Sequence, residues 1–180
     1  MDVTSPTLPG DHAINKDFGS IAIRPATEAD WPAIWELFRP VAAAGDAFAY
    51  DAATPEAVAR KLWFDSPARG FVAEVDGRIL GTYFLRPNQP GRGDHVANAG
   101  YIVAEAARGK GLASKMCEHS LETATRLGYR AMQFNFVVSS NEAAVRTWKK
   151  HGFEVVATLP DAFRHAALGF VDVFVMHRRL

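Results

Sequence analysis

Apolar residues recur in two different patterns along this chain, and the patterns predict alternating strands and helices. Between residues 112 and 127 the apolar side chains return every three or four positions, which is the spacing of an amphipathic helix. The apolar runs at residues 70–75 and 78–85 predict strands, and the Asp76-Gly77 pair between them is typical of a hairpin turn. Along the whole chain the predicted order is β-α-α-β-β-β-α-β-α-β-β.

A glycine-rich turn opens the central helix and follows a predicted strand at residues 99–103. It begins Arg108-Gly109-Lys110-Gly111. The first amides of a helix lack an intrahelical partner and the helix dipole favours an anion there, so the turn is suited to a phosphate. It fits neither the P-loop, which needs Gly-Lys-Ser/Thr, nor the three-glycine dinucleotide fingerprint. From these residues alone it is either a phosphate site or an ordinary turn before a helix.

Two motifs resemble those of one enzyme family. The pattern Arg108-x-x-Gly111-x-Ala113 resembles the pyrophosphate turn of the GNAT superfamily of N-acetyltransferases. Residues 141–153 (NEAAVRTWKKHGF) resemble the second signature of the same family, an Asn-opened helix that ends in Gly-Phe. The two motifs stand in the family's order, and the resemblance covers residues 21–180.

The resemblance implies a fold and a cosubstrate. The implied fold is the α/β GNAT fold, a mostly antiparallel mixed sheet splayed between its fourth and fifth strands and flanked by about four helices. The implied cosubstrate is acetyl-CoA, with its pantetheine arm paired to strand backbone and no metal required. The implied cofactor-binding residues are Ile102, Val103, Arg108, Gly109, Lys110, Gly111, Ala113, Ser114, Asn141, Ala144 and Trp148. A backbone N–H near Ile102 would polarise the thioester carbonyl.

The chain departs from the family pattern where the proton donor is expected. Trp148 stands in place of the usual Tyr, and an indole N–H is not a useful acid at neutral pH. We therefore expect Trp148 to pack against the pantetheine. Asn98 and Asn135 are the candidate catalytic residues, because an Asn on an aromatic-rich strand needs hydrogen-bond partners; they either bind backbone where the strands separate or line an amide pocket. The candidate substrate-binding residues are Phe48, Tyr50, His95 and Tyr101.

A narrower resemblance concerns the acceptor. Residues 95–101, 134–138, 159–165 and 169–172 are similar to the branch that contains the proline-analogue (azetidine-2-carboxylate) N-acetyltransferase. That resemblance implies a small amine substrate, an Asn-based site and a homodimer. Arg164 and His165, in a loop predicted over residues 163–172, either bind a carboxylate or cover the sheet edge.

Composition narrows the classes of partner and compartment. The 180 residues are 48% hydrophobic, and 20 basic side chains balance 20 acidic ones, which argues against a nucleic-acid surface. A single cysteine, Cys117, excludes an internal disulfide, and its place on the apolar helix stripe predicts a buried thiol. Neither a signal peptide nor a membrane span is indicated, so we expect a cytoplasmic protein with a disordered tail over residues 1–20 and one domain over residues 21–180.

Three functions remain open at this point. The leading hypothesis is acetyl transfer from acetyl-CoA to a small-molecule amine. A second is acetylation of a protein or peptide amino group, which an open acidic groove would favour. A third is a non-catalytic acyl-CoA-binding sensor, which the missing Tyr would favour.

Overall fold

The computed structural model describes residues 12–15 and 18–180, and within them one eight-stranded sheet runs through the protein. Its strands are β1 (His12–Asn15), β2 (Phe18–Pro25), β3 (Arg69–Val75), β4 (Arg78–Pro87), β5 (Val96–Val103), β6 (Ala131–Val138), β7 (Glu154–His165) and β8 (Gly169–Arg179). They lie side by side in the order β1-β2-β3-β4-β5-β6-β8-β7. The helices are α1 (Trp31–Ala44), α2 (Glu56–Phe64), α3 (Leu112–Arg126) and α4 (Glu142–Lys150).

The predicted fold class is confirmed. Every neighbouring pair of strands is antiparallel except β5 and β6, which are parallel. Counted from β2, these are the fourth and fifth strands, as expected. The β3–β4 hairpin also forms at Asp76 and Gly77, whose φ angles of 49° and 76° match the turn type that suits a twisted two-stranded ribbon.

The amino-terminal boundary differs from the prediction. A disordered tail was expected over residues 1–20, but β2 begins at Phe18 and pairs with β1, which precedes it. Backbone pairing at a sheet edge leaves little hydrophobic signal, which is why the sequence did not indicate β1. The rest of the predicted tail, residues 1–11 and 16–17, lies outside the described residues.

The loop predicted over residues 163–172 was wrong. Strand β7 continues to His165 and β8 starts at Gly169, so only residues 166–168 form the turn. Strand β7 passes through Pro160 with a register shift between Leu159 and Phe163, and Asp161 takes a φ of 52°. An edge strand tolerates proline and bulges because one side of its backbone has no partner strand.

Two apolar layers cover the two faces of the sheet. One contains Met116 and Cys117 of α3 with Phe153, and the other contains Phe38 of α1 with Trp63 of α2. Cys117 is fully buried, as expected, and burial raises the pKa of its thiol to about 12. The thiol therefore stays protonated and packs as an apolar side chain.

Candidate active site

A cavity of about 810 Å³ opens where β5 and β6 part. The two strands pair only at Val96–Ala131 and Ala97–Met132, and diverge beyond that point. The other walls are formed by the first residues of α3 and α4, the connection after α1 and the end of β7. The volume lies in the range of small-ligand sites.

The gap leaves one edge of β5 without a strand partner. The His95 carbonyl accepts the Arg130 N–H beside β6 at 2.8 Å, whereas the Ala104 N–H donates to Leu80 on β4 at 2.8 Å. Because backbone groups alternate sides along a strand, the N–H and C=O of Tyr101 and Val103 face the gap. Those of Ile102 face β4. The predicted backbone contact at Ile102 is therefore corrected to its two neighbours.

The glycine-rich turn forms a second wall. Gly109 and Gly111 have φ angles of 75° and 85°, which L side chains rarely adopt. Gly111 is the N-cap of α3, and no side chain caps this helix end. The amides there remain open to an anion, as the sequence predicted. Arg108 lines the cavity and Lys110 does not.

Ser114, in the first turn of α3, connects that helix to α4. Its Oγ lies 2.7 Å from Nε2 of His151, the residue that follows α4. Burial lowers the pKa of His151, so the ring is neutral near pH 7. The start of α3 is thus held to the end of α4 beside the glycine-rich turn.

The start of α4 carries a buried polar atom without a partner. Asn141 is the N-cap, and its Oδ1 accepts the Ala144 N–H at 3.2 Å. The preceding residue, Ser140, lines the cavity, and its buried Oγ has no hydrogen-bond partner in the described structure. A buried hydroxyl is costly without a partner, so Ser140 marks a point where a polar group of a ligand fits.

Trp148 lies in the aromatic wall of the cavity. It is 8% exposed, and the centroid of its ring lies 4.8 Å from that of Tyr101 and 5.1 Å from that of Phe134. The Tyr101 hydroxyl is 2.6 Å from Ser120 Oγ, and burial raises its pKa well above the ordinary value. Both rings therefore act as packing surfaces, and neither is an effective acid.

The far end of the cavity is built from two distant segments. Asp46 and Phe48, after α1, line it together with Phe136 of β6 and His165 at the end of β7. The segments meet where the Ala166 N–H donates to the Gly45 carbonyl at 2.9 Å. This contact, called the bridge below, joins the β7–β8 turn to the end of α1 beside the cavity.

The two candidate catalytic asparagines come together, but around a third one. Asn98 and Asn135 both donate through Nδ2 to Oδ1 of Asn88, at 3.0 and 2.6 Å. Gln133 Nε2 in turn donates to Asn135 Oδ1 at 2.8 Å. None of these four side chains is among those that line the cavity.

Most of the other predicted site residues do line the cavity. They are Phe48, Tyr101, Ile102, Val103, Arg108, Gly109, Gly111, Ala113, Ser114, Asn141, Ala144 and Trp148. Tyr50 instead packs against Phe38 and Phe48, with ring centroids 5.7 and 6.3 Å away. His95 does not line the cavity, because this exposed residue lies in the turn before β5, at the end of the strand remote from the gap.

Sequence reasoning missed Asp46, Asn88 and Ser140. Asp46 and Asn88 lie in irregular segments without periodicity, so the chain gave no signal for either. Ser140 directly precedes the Asn-opened helix, and a polar residue at such an entry was a usable signal.

The described residues contain no group of three or more His, Cys, Asp or Glu placed to hold a metal ion. None of their helices combines the length and apolar character needed to cross a membrane.

Comparison with known proteins gives a consistent assignment. Residues 31–153 match the model of the acetyltransferase (GNAT) family. The structure of a GCN5-related N-acetyltransferase from Kribbella flavida is 44% identical, with a TM-score of 0.85 over 89% of this chain and 98% of that one. The structure of yncA, a putative acetyltransferase from Salmonella typhimurium with its cofactor acetyl-CoA, is 25% identical, with a TM-score of 0.78 over 89% and 94% of the two chains.

A curated relative also matches in sequence. The N-acetyltransferase aca1 of Schizosaccharomyces pombe is 32% identical over 106 residues, which cover 57% of this chain and 51% of that protein. The chain thus spans about half the length of this relative.

Proposed function

Because the chain belongs to the acetyltransferase (GNAT) family, we propose that it transfers an acetyl group from acetyl-CoA to the amine of a small molecule, such as an amino acid or a proline analogue. The amine attacks directly while both substrates are bound. The observation that carries this proposal is the parting of β5 and β6 beside the open amides of α3, which gives one cavity an unpaired strand edge and an anion site.

The cavity walls fit the chemical groups of acetyl-CoA. The open N–H and C=O groups of Tyr101 and Val103 suit the amides of a pantetheine arm, and the amides of Gly111 and its successors suit a pyrophosphate. Arg108 adds positive charge at the same end, and Ser140 offers its unpartnered hydroxyl. Acetyl-CoA supplies the activated acetyl group, and the chain binds and orients it.

The proposed reaction depends little on proton transfer by side chains. The acceptor nitrogen bonds to the acetyl carbon, the carbon–sulfur bond breaks, and the sulfur leaves as a thiolate. The amine proton passes to water. The charge that develops on the carbonyl oxygen is stabilised by a backbone N–H on the open edge of β5, either that of Tyr101 or that of Val103. The absence of the usual Tyr at position 148 is compatible with this scheme, because CoA is a fairly good leaving group.

The far end of the cavity supports a small acceptor. The Ala166–Gly45 hydrogen bond ties together the two segments that line this end, and Phe48 and Phe136 add aromatic walls there. A peptide would need an open groove in that place. Asn98 and Asn135 do not line the cavity, so we propose that they act on the acceptor indirectly, by holding β5 and β6 in place with Asn88 near the point where the strands part.

The same proposal includes a cytoplasmic homodimer formed through β7. Among the described residues, β7 is an edge strand with exposed apolar side chains on both faces, including Val155 (37% exposed), Val156 (57%) and Leu159 (40%). An antiparallel pairing of β7 with the same strand of a second subunit would cover these apolar side chains. Light scattering that gives a monomer mass at micromolar concentration would contradict the dimer.

A substrate screen tests the central proposal. Purified protein is incubated with acetyl-CoA and a panel of amino acids, cyclic amines, simple amines and short peptides, and the release of free thiol is measured. We expect turnover on small amines and little on peptides. Preference for peptides would favour the protein-acetylating alternative, and acetyl-CoA binding without thiol release on any amine would favour a sensor.

A further inference from the structure

We propose that His165 selects the acceptor, by donating a hydrogen bond from Nε2 to a carboxylate that lies next to the acceptor's amine. This inference rests on the proposed function and adds a substrate class to it. The acceptor would be an amino acid or another small amine with an adjacent acid group, in preference to a simple amine.

The β7–β8 turn fixes which nitrogen of the His165 ring carries the proton. Nδ1 of His165 lies 3.1 Å from the Ala167 amide nitrogen and 3.3 Å from that of Leu168. An amide N–H can only donate, so Nδ1 must offer its lone pair to both. In the neutral imidazole the proton then resides on Nε2.

The position of the ring is fixed as well as its tautomer. The next residue, Ala166, is held to Gly45 by the 2.9 Å hydrogen bond, and the ring contacts the edge of Phe163, with centroids 6.3 Å apart. His165 therefore lines the cavity as a rigid group. A donor that is already oriented loses little freedom on binding, which favours its use in selection.

This tautomer makes the ring a donor and not a base. Nδ1 already accepts two amides, and Nε2 already carries its proton, so neither nitrogen has a lone pair free for the acceptor's amine. Asp46, which lines the same cavity, carries carboxylate oxygens that accept hydrogen bonds. A ligand with an N–H toward Asp46 and a carboxylate toward His165 complements both walls.

The neighbouring arginine offers a matched control. Arg164 is exposed and does not line the cavity. Sequence alone left both Arg164 and His165 as candidates for a carboxylate, and the structure brings only His165 to the cavity. Replacing each in turn separates the two candidates.

The test uses two variants of His165 that differ in reach. In His165→Asn the side-chain oxygen takes the place of Nδ1 and accepts the two amides, but nothing replaces Nε2–H. In His165→Gln the longer amide extends toward the place of Nε2. The kcat/KM values are measured for two matched pairs, proline with pyrrolidine and alanine with ethylamine, and acetyl-CoA affinity is measured by calorimetry.

The expected result is a change in preference between the members of a pair. Wild-type protein should favour the member that carries the carboxylate. His165→Asn should reduce that ratio about tenfold or more through KM, the size expected for one hydrogen bond to a charged group. His165→Gln should restore part of the ratio. Arg164→Gln should leave it unchanged, and all variants should bind acetyl-CoA as the wild type does.

Three outcomes would overturn the inference. They are a wild-type preference for amines without a carboxylate, a His165→Asn variant with an unchanged ratio, and a loss of the ratio in Arg164→Gln alone. If no amine is acetylated, the proposed function fails. The tautomer of the His165 ring and its response to a carboxylate ligand are then measured by ¹⁵N NMR of the CoA-bound protein. A proton on Nδ1 at neutral pH would then refute the tautomer, and an Nε2 resonance that does not respond to added proline would refute carboxylate binding.

Discussion

The two ends of the cavity are built in different ways. At the α3 end, one turn and the helix after it supply the glycines, the open amides and Arg108 within a few residues of one another. At the other end, Asp46 follows α1 and His165 ends β7, and the two meet only because the chain folds Ala166 against Gly45. The difference fits the proposal, in which a local motif binds the cosubstrate and residues from distant segments bind the acceptor.

The largest expected effect separates the two ends through the cofactor. Gly111→Asp places a side chain and a negative charge where the pyrophosphate is proposed to bind. The charge repulsion and the loss of close contact between the backbone and the pyrophosphate should each weaken acetyl-CoA binding by about 1–3 kcal/mol. Acetyl-CoA should therefore bind at least roughly tenfold more weakly by calorimetry.

A second glycine on the same helix provides the control. Gly128, just beyond the other end of α3, has the same φ of 85° and open space around it. Gly128→Asp introduces the same backbone strain and the same charge away from the cavity, so it should lower the melting temperature while acetyl-CoA affinity stays intact. Equal affinities in the two variants would show that the turn does not bind the pyrophosphate.

The next effect concerns the asparagine group near the parting of the strands. Asn135→Ala should lower turnover on the true amine more than it lowers acetyl-CoA affinity. Loss of one such hydrogen bond should cost about 1–3 kcal/mol, or about 5- to 150-fold in rate. Steady-state kinetics on the best amine from the screen would measure it.

The shared partner Asn88 makes this test sharper. If Asn88 holds the other two amides in place, Asn88→Ala should reproduce much of the loss, and the double variant should lose less than the product of the two single losses. A lower melting temperature with full turnover would instead assign Asn135 a structural role. The catalytic assignment to both asparagines would then fail.

A smaller effect is expected at the bridge, the hydrogen bond between Ala166 and Gly45. In Gly45→Ala the new Cβ would stand 3.1 Å from the Ala166 Cβ, at a φ of 60°. The β7–β8 turn would have to move, so the KM for the acceptor should rise severalfold while acetyl-CoA affinity is kept. Strain of about 1 kcal/mol should also lower the melting temperature by about 2–4 °C.

The control for the bridge is a glycine with similar strain and no neighbour. Gly77 has a φ of 76° in the β3–β4 hairpin, and a Cβ added to it would have no neighbouring heavy atom within 4 Å. Gly77→Ala should lower the melting temperature to a similar degree without changing the KM. If both variants raise the KM alike, the bridge does not shape the acceptor end.

The same contrast explains how much the sequence could predict. The helical stripe of α3, the Asp76-Gly77 hairpin and the glycine turn are local patterns, and each formed where it was expected. These three features depend on residues that are neighbours along the chain, so one sequence contains their full signal. The splay between the fourth and fifth strands followed instead from the family resemblance.

The remaining features depend on contacts between segments. The edge strand β7 continues past Pro160 because one side of its backbone needs no partner strand, and its position at the edge is set by pairing with a distant segment. Asn88 and Asp46 have no periodic neighbours, and their roles come from where β4 and α1 end. Trp148 was identified from the motif, but its ring partners on β5 and β6 became visible only in the folded chain.

The smallest expected effect tests the residue between the two ends. Trp148→Phe keeps an aromatic ring against Tyr101 and Phe134 but removes part of its surface and the indole N–H. If Trp148 packs against the pantetheine, the variant should keep most of its maximal rate, and acetyl-CoA should bind a few-fold more weakly. Trp35→Phe is the matched control, because Trp35 stacks on Phe38 with centroids 5.6 Å apart and does not line the cavity.

The pH dependence of the rate decides between packing and proton donation at this position. A general acid contributes about 10²–10⁴ in rate, and its loss changes the basic limb of the pH profile. Packing predicts instead that the profile of Trp148→Phe has the shape of the wild-type profile, with acetyl-CoA affinity as the main change. A loss of rate of that size, with acetyl-CoA affinity and melting temperature intact, would mean that the indole takes part in the proton transfer, and the scheme that relies on the leaving group alone would have to be abandoned.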